Sequence, residues 1–258
     1  MPRRRPHRRS LLPDDYFGRS QLPLQSLFFL LPLVVLYEVG TLIYATDYQH
    51  GTTLYIQARL WLLGFFQWFG VSGFLLPGLI VVAALVGWHI ARKDRWELEP
   101  KLYLIMLIES AALAVPLLFF MSVMSRHPAP AAYAIDGLQL TLGAGQVSPW
   151  QAQAVFAIGA GIYEELLFRL VAIALLHFLL VDVLAVPDIW GSLAAIAISS
   201  VAFALYHFSG NRDFAWTPFF LYTAAGVYLA CVYVLRGIGI AAGTHAVYDI
   251  LVIVVRLL

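Results

Sequence analysis

The chain has 258 residues, of which 61% are hydrophobic and 12% charged, with a mean hydropathy of +0.81. Soluble domains hold about 45–50% apolar and about 25% charged residues, so both a water-soluble globule and a disordered chain are excluded. The net charge is only +1, and its basic residues are scattered or terminal, which leaves no electrostatic footprint for DNA or RNA. What remains is an all-α, polytopic transmembrane helix bundle in which the lipid bilayer is the first partner. At about 20 apolar residues per span, a chain of this length holds about seven spans, six to eight at the limits, and no separate soluble domain.

The N-terminal arm, residues 1–23, carries Arg3, Arg4, Arg5, Arg8 and Arg9. Five arginines before a first span predict a cytoplasmic N-terminus by the positive-inside rule. That span, Leu24 to Ala45, is too long for a signal-peptide core and lacks a small-residue cleavage site, so it is retained. Leu54 to Gly70 is aromatic but interrupted by Gln57, Arg59 and Gln67, the pattern of a helix lying in the interface. Val71 to Ala91 and Leu102 to Met124 read as spans, joined by a basic loop from Arg92 to Lys101. Ser125 to Trp150, rich in Pro, Gly and Ala, reads as an external loop with room for a lid or a short surface helix.

The C-terminal half opens with Gln151 to Leu180, either one long tilted helix or a span followed by a re-entrant turn. Ile189 to Phe208, Pro218 to Leu235 and Ile238 to Val255 complete seven spans. The units are therefore 1–23 as arm, 24–149 as N-terminal transmembrane helices and 150–258 as C-terminal helices, within one integrated membrane domain. The lone Cys231 permits no internal disulfide and reads as core filler.

Ionisable groups inside spans cost a few kcal/mol each (~2.5–3.5 on insertion scales), so they mark the first place to look for function. In Tyr163-Glu164-Glu165-Leu166-Leu167-Phe168-Arg169, the i, i+4 spacing stacks Glu165 on Arg169 as a structural clasp. Glu164 is rotated about 100° away and has no partner on its own helix, which makes it a candidate general base or acid. Phe203-Ala204-Leu205-Tyr206-His207 places a phenyl ring one turn below an imidazole. His245-Ala246-Val247-Tyr248-Asp249 places a second imidazole one turn from a carboxyl group. Glu38, Glu109, Arg59 and His177 are expected to serve interhelical hydrogen bonding.

These three segments resemble the CPBP or Abi membrane proteases, the group that holds the CAAX prenyl endopeptidases and the bacteriocin-processing or immunity proteins. The family pattern is Glu-Glu-x-x-x-Arg, then Phe-x-x-x-His, then His-x-x-x-Asn or Asp. Here it falls on Glu164, Glu165 and Arg169, on Phe203 and His207, and on His245 and Asp249. The resemblance implies a glutamic intramembrane endopeptidase with Glu164, His207, His245 and Asp249 as catalytic residues, supported by Glu165, Arg169 and Phe203. In that scheme Glu164 and a histidine activate the attacking water, and the two histidines position it and stabilise the oxyanion. An ionised Asp cannot donate to an oxyanion as Asn can, so Asp249 is expected to orient His245. The implied partner is a membrane-embedded, membrane-anchored or lipidated protein or peptide substrate.

Two histidines and a glutamate are also the ligands of catalytic zinc sites. No His-Glu-x-x-His segment is present, and the expectation is that no metal or other cofactor is needed. Two other readings stand beside the protease: a non-proteolytic immunity or scaffold member of the family, and a proton-coupled transporter, which would carry inverted repeats. A short chain with a basic N-terminus suits a bacterial inner membrane. One geometric difficulty is evident: His207 ends its span whereas His245 lies about seven residues, roughly 10 Å, into its own.

Overall fold

The computed structural model describes residues 15–47, 52–124, 141–142, 146–147, 150–209 and 213–257. The N-terminal arginines and almost all of the Ser125–Trp150 loop therefore lie outside the described residues. One turn of helix, α1 (Tyr16–Ser20), is capped by the Asp15 carboxylate, which accepts the Gly18 N–H. The next is α2 (Pro23–Tyr44), with Pro23 in its first turn, where the missing N–H has no intrahelical acceptor to lose. α3 (Gln57–Gln67) is short, α4 (Leu76–Arg92) stops at Lys93 in the left-handed region, and α5 (Pro100–Met124) follows. Two-residue antiparallel pairs join Thr46–Asp47 to Thr52–Thr53 and Thr141–Leu142 to Gln146–Val147.

In the C-terminal half, α6 runs unbroken over Trp150–Val183, so the long-helix alternative holds and there is no re-entrant turn. Its hydrogen bonding changes from α to π over Leu166–Ile173 and again over Phe178–Val183. α7 (Asp188–Tyr206) ends with His207 as its C-cap. The last helix, Trp216–Leu257, is interrupted at Gly237 (φ 83°, ψ 174°), and its halves are α8 (216–236) and α9 (238–257). Only glycine adopts that backbone without strain.

Among the described residues five helices are long and apolar enough to cross a membrane, and the 17-residue α4 adds a shorter one. With the last helix divided at Gly237, the described residues hold the seven apolar segments expected. α4 starts at Leu76 rather than Val71 because Pro77, in its first turn, follows a turn at Gly73. Cys231 is exposed on α8 rather than buried as core filler.

The helices pack with α8 and α9 against α5, α6 and α7, and with α2 against α6 and α4. Between membrane helices there is no hydrophobic drive, so close van der Waals approach and interhelical polar contacts hold the bundle. Small residues make that approach possible. A Cβ at Gly159 would lie 2.2 Å from Tyr37 Cε2 on α2, and one at Gly161 would lie 2.7 Å from both the Ala242 carbonyl oxygen and Ala246 Cβ on α9. Gly161→Ala is therefore expected to push α6 off α9, costing about 1–3 kcal/mol as overpacking does. A lower apparent Tm of the detergent-solubilised protein would show it, and an unchanged Tm would contradict it.

Polar residues on these helices pair across the bundle. Arg59 reaches Glu38 at 3.0 Å, and the Tyr163 hydroxyl donates to the other Glu38 oxygen at 2.7 Å. Arg236 at the end of α8 binds Glu109 of α5, donates to Ser20 Oγ and to the Phe17 carbonyl, and so ties α1 to the Gly237 break. Tyr16 donates to the same Glu109. His177 lies 2.9 Å from Asp188. Glu38, Arg59, Glu109 and His177 thus all serve interhelical contacts.

Candidate active site

Glu164 and Glu165 close the α-helical part of α6, and the π-helical stretch begins with the next residue. A π turn widens the helix and recurs at functional sites because it changes the direction of the side chains that follow. Glu165 and Arg169 are both fully buried and lie 3.1 Å apart, Oε2 to Nε, a charge contact not aligned as a hydrogen bond. The guanidinium carbon also lies 4.7 Å from the centre of the Phe203 ring, an attractive placement for a cation over an aromatic face. The clasp read from the i, i+4 spacing is therefore present, and Phe203 completes it.

The remaining oxygen of Glu165 has a second partner. Its Oε1 lies 2.9 Å from His245 Nδ1. A carboxylate can only accept, so Nδ1 carries the proton and donates, leaving Nε2 turned the other way. His245 Nε2 then lies 3.9 Å from Glu164 Oε2 and 3.6 Å from Asp249 Oδ2. The group that orients His245 through Nδ1 is thus Glu165, and Asp249 stands on the Nε2 side. Asp249, expected to orient His245, stands 3.6 Å from Nε2 on the same helix, and the hydrogen bond at Nδ1 comes from a different helix.

His207 is arranged in the same way. Its Nδ1 lies 2.8 Å from the Phe203 carbonyl oxygen, which also can only accept, so Nε2 is again the far nitrogen. That nitrogen lies 4.0 Å from Glu164 Oε2. Tyr222 of α8 stacks on the His207 ring at 4.2 Å, and the Phe203 ring presents an edge to both imidazoles, at 4.7 Å and 5.9 Å. Each ring is thereby held in one orientation by a hydrogen bond and by aromatic packing.

Glu164 has its two oxygens in different surroundings. Oε1 accepts the Tyr206 hydroxyl at 3.1 Å. Oε2 is buried, has no hydrogen-bond partner among the described residues, and faces both Nε2 atoms. The two separations are too long for direct hydrogen bonds and of a length one shared oxygen atom spans. The apparent difference in depth disappears because α7 ends at the level of the site, so its C-cap residue meets a histidine well inside α9.

Glu164, Glu165, Arg169, Phe203, His207, His245 and Asp249 therefore lie in one cluster built from α6, α7 and α9, buried except for partly exposed His207 and Asp249. Two contributors went unnoticed in sequence. Tyr206 sits beside His207 and looks like another aromatic in an apolar helix. Ala58 of α3 donates its backbone N–H to the Tyr206 hydroxyl at 2.9 Å, and a backbone donor has no sequence signature. Among the described residues no group of three or more His, Cys, Asp and Glu is disposed to hold a metal ion.

Residues 146–251 match the model of the family described as type II CAAX prenyl endopeptidase Rce1-like. That stretch contains all three motif segments. No curated protein and no solved structure matches the chain.

Proposed function

Residues 146–251 belong to the CAAX prenyl endopeptidase, or CPBP, family, and from that premise we propose that the protein hydrolyses a peptide bond of a membrane-anchored or lipidated substrate, with Glu164 as the base. The observation that supports this reading most directly is the convergence of Glu164 Oε2 on the two Nε2 atoms at 4.0 Å and 3.9 Å. A water held by Glu164 Oε2 and His207 Nε2 would lose a proton to the carboxylate as its oxygen bonds to the scissile carbonyl carbon. The oxyanion so formed needs a donor. An imidazolium at His245, with its Nδ1–H on Glu165, presents its Nε2–H for that task, with Asp249 beside it to balance the charge. Glu164 then returns the proton to the amine nitrogen as the C–N bond breaks.

Burial suits this chemistry. Expelled water strengthens each of these interactions, and helices that leave no backbone polar group facing lipid can enclose a polar site within the membrane. A bacterial inner membrane with the basic N-terminus in the cytoplasm is the proposed setting.

The test is reconstitution of the full chain in liposomes with two probes, a farnesylated peptide ending in a CAAX sequence and a library of unmodified peptides tethered to a lipid. Products are identified by mass spectrometry. Cleavage at one defined bond is expected, and no cleavage of any peptide would overturn the reading. The same reaction is expected to survive exhaustive chelation. Loss of activity restored by zinc would replace Glu164 as base with a metal-bound water.

A further inference from the structure

One hydroxyl that the peptidase reading does not use, that of Tyr206, bonds to Glu164 and is itself bonded by a backbone donor. Tyr206 donates to Glu164 Oε1 at 3.1 Å, and its own oxygen accepts the Ala58 N–H at 2.9 Å. Ala58 lies in the first turn of α3, where backbone N–H groups have no intrahelical acceptor, so this donor is available at no cost to the helix. With its oxygen occupied by that N–H, the hydroxyl directs its proton to the carboxylate. The next residue, Arg59, is fully buried and is held by Glu38, the Phe74 carbonyl and the Tyr55 ring. Trp61, one turn further on, sets its ring edge-on to that of Tyr206 at 5.0 Å. The short helix α3 therefore grips Tyr206 by a backbone donor and by a ring.

We propose that Tyr206 is a positioning residue for peptide-bond hydrolysis: supported by the Ala58 N–H of α3, it holds Glu164 in the one rotamer that turns Oε2 toward His207 and His245. A buried carboxylate with one oxygen tethered loses its freedom to rotate about the terminal torsion, which is otherwise broad. The reacting oxygen is then preorganised by a contact made outside the three motif segments. α3 thereby becomes part of the active site although it lies at residues 57–67, far from them in sequence and outside the matched stretch.

The proposal rests on Glu164 being the base, and its test separates the two claims. The full chain is reconstituted in liposomes, and kcat and KM are measured on whichever tethered peptide the wild-type protein cleaves fastest. Tyr206→Phe, which deletes one oxygen and keeps the ring against Trp61, is expected to lower kcat roughly 10- to 100-fold, the scale of losing a supporting contact to a catalytic group. KM should stay within about twofold, because the hydroxyl faces Glu164 and not the substrate. Ala58→Pro removes the donor while leaving the hydroxyl, at a first-turn position where proline is tolerated, and should lower kcat in the same direction. Ala58→Gly keeps the N–H and should leave kcat near the wild-type value.

Unchanged kcat in both Tyr206→Phe and Ala58→Pro, with Glu164→Gln inactive, would overturn the role of Tyr206 and leave the peptidase reading standing. A rise in KM alone would overturn it as well, since that marks substrate binding. Full activity in Glu164→Gln would instead remove the base on which the proposal depends.

Discussion

Glu164→Gln is expected to abolish cleavage while the protein stays folded. The amide is nearly isosteric with the carboxylate, and its oxygen still accepts the Tyr206 hydroxyl in place of Glu164 Oε1. What disappears is the carboxylate oxygen that faces both imidazoles and makes no hydrogen bond among the described residues. General acid–base catalysis contributes about 10²–10⁴-fold, and here one carboxylate serves both halves of the reaction. A loss of at least about 10³-fold, roughly 4 kcal/mol of transition-state stabilisation, is therefore the expected result. Retained elution volume and apparent Tm would show that the bundle survives, and full proteolysis by this variant would end the proposed mechanism. His207→Ala and His245→Ala test the partners of the same oxygen, but each also removes an aromatic contact to Phe203, so the glutamine variant is the cleaner experiment.

The second large effect falls on the clasp. Arg169→Ala leaves Glu165 fully buried without its cation, and Glu165→Ala leaves Arg169 equally stranded. Removing one member of a buried pair costs about 3–5 kcal/mol, because an uncompensated charge stays behind. Both variants are expected to fold in lower yield and with a lower apparent Tm. Their effects on catalysis should nevertheless differ. Glu165 also holds His245 through Nδ1, so Glu165→Ala frees the imidazole to rotate, whereas Arg169→Ala leaves that acceptor in place. Glu165→Gln provides the intermediate case, with a neutral oxygen still able to accept from His245. If Glu165→Ala folded normally and cleaved at the wild-type rate, neither the clasp nor the orientation of His245 would matter to the site.

The two predictions share a physical cause. In a membrane interior every unpaired charge is expensive, so each ionic residue must be accounted for by a partner or by a task. Glu38, Glu109, Arg59, Arg236 and His177 have protein partners. Among the described residues Glu164 has a hydroxyl donor on Oε1, while its Oε2 faces two imidazoles and no guanidinium, unlike Glu165, whose Oε2 lies against Arg169.

Composition and hydropathy by themselves determined that this is a helical membrane bundle, since only helices and closed barrels satisfy every backbone group in lipid. The i, i+4 spacing of Glu165 and Arg169 determined their pairing, because residues four apart share a helix face whatever the fold around them. The break between α8 and α9 was legible too, for an Arg-Gly pair between two apolar runs leaves glycine alone to take the left-handed backbone. Contacts between helices were another matter. That Glu165 bonds His245 Nδ1 while Asp249 stands at Nε2, that Tyr206 bonds Glu164, and that Ala58 of the short helix α3 backs that tyrosine all depend on how α3, α6, α7 and α9 meet. The π stretch at Leu166–Ile173 carries no proline or glycine to announce it. Periodicity reports which face of a helix is apolar, but not which neighbour it meets, at what depth, or at what rotation; packing through Gly159 and Gly161 decided those, and with them the geometry around Glu164.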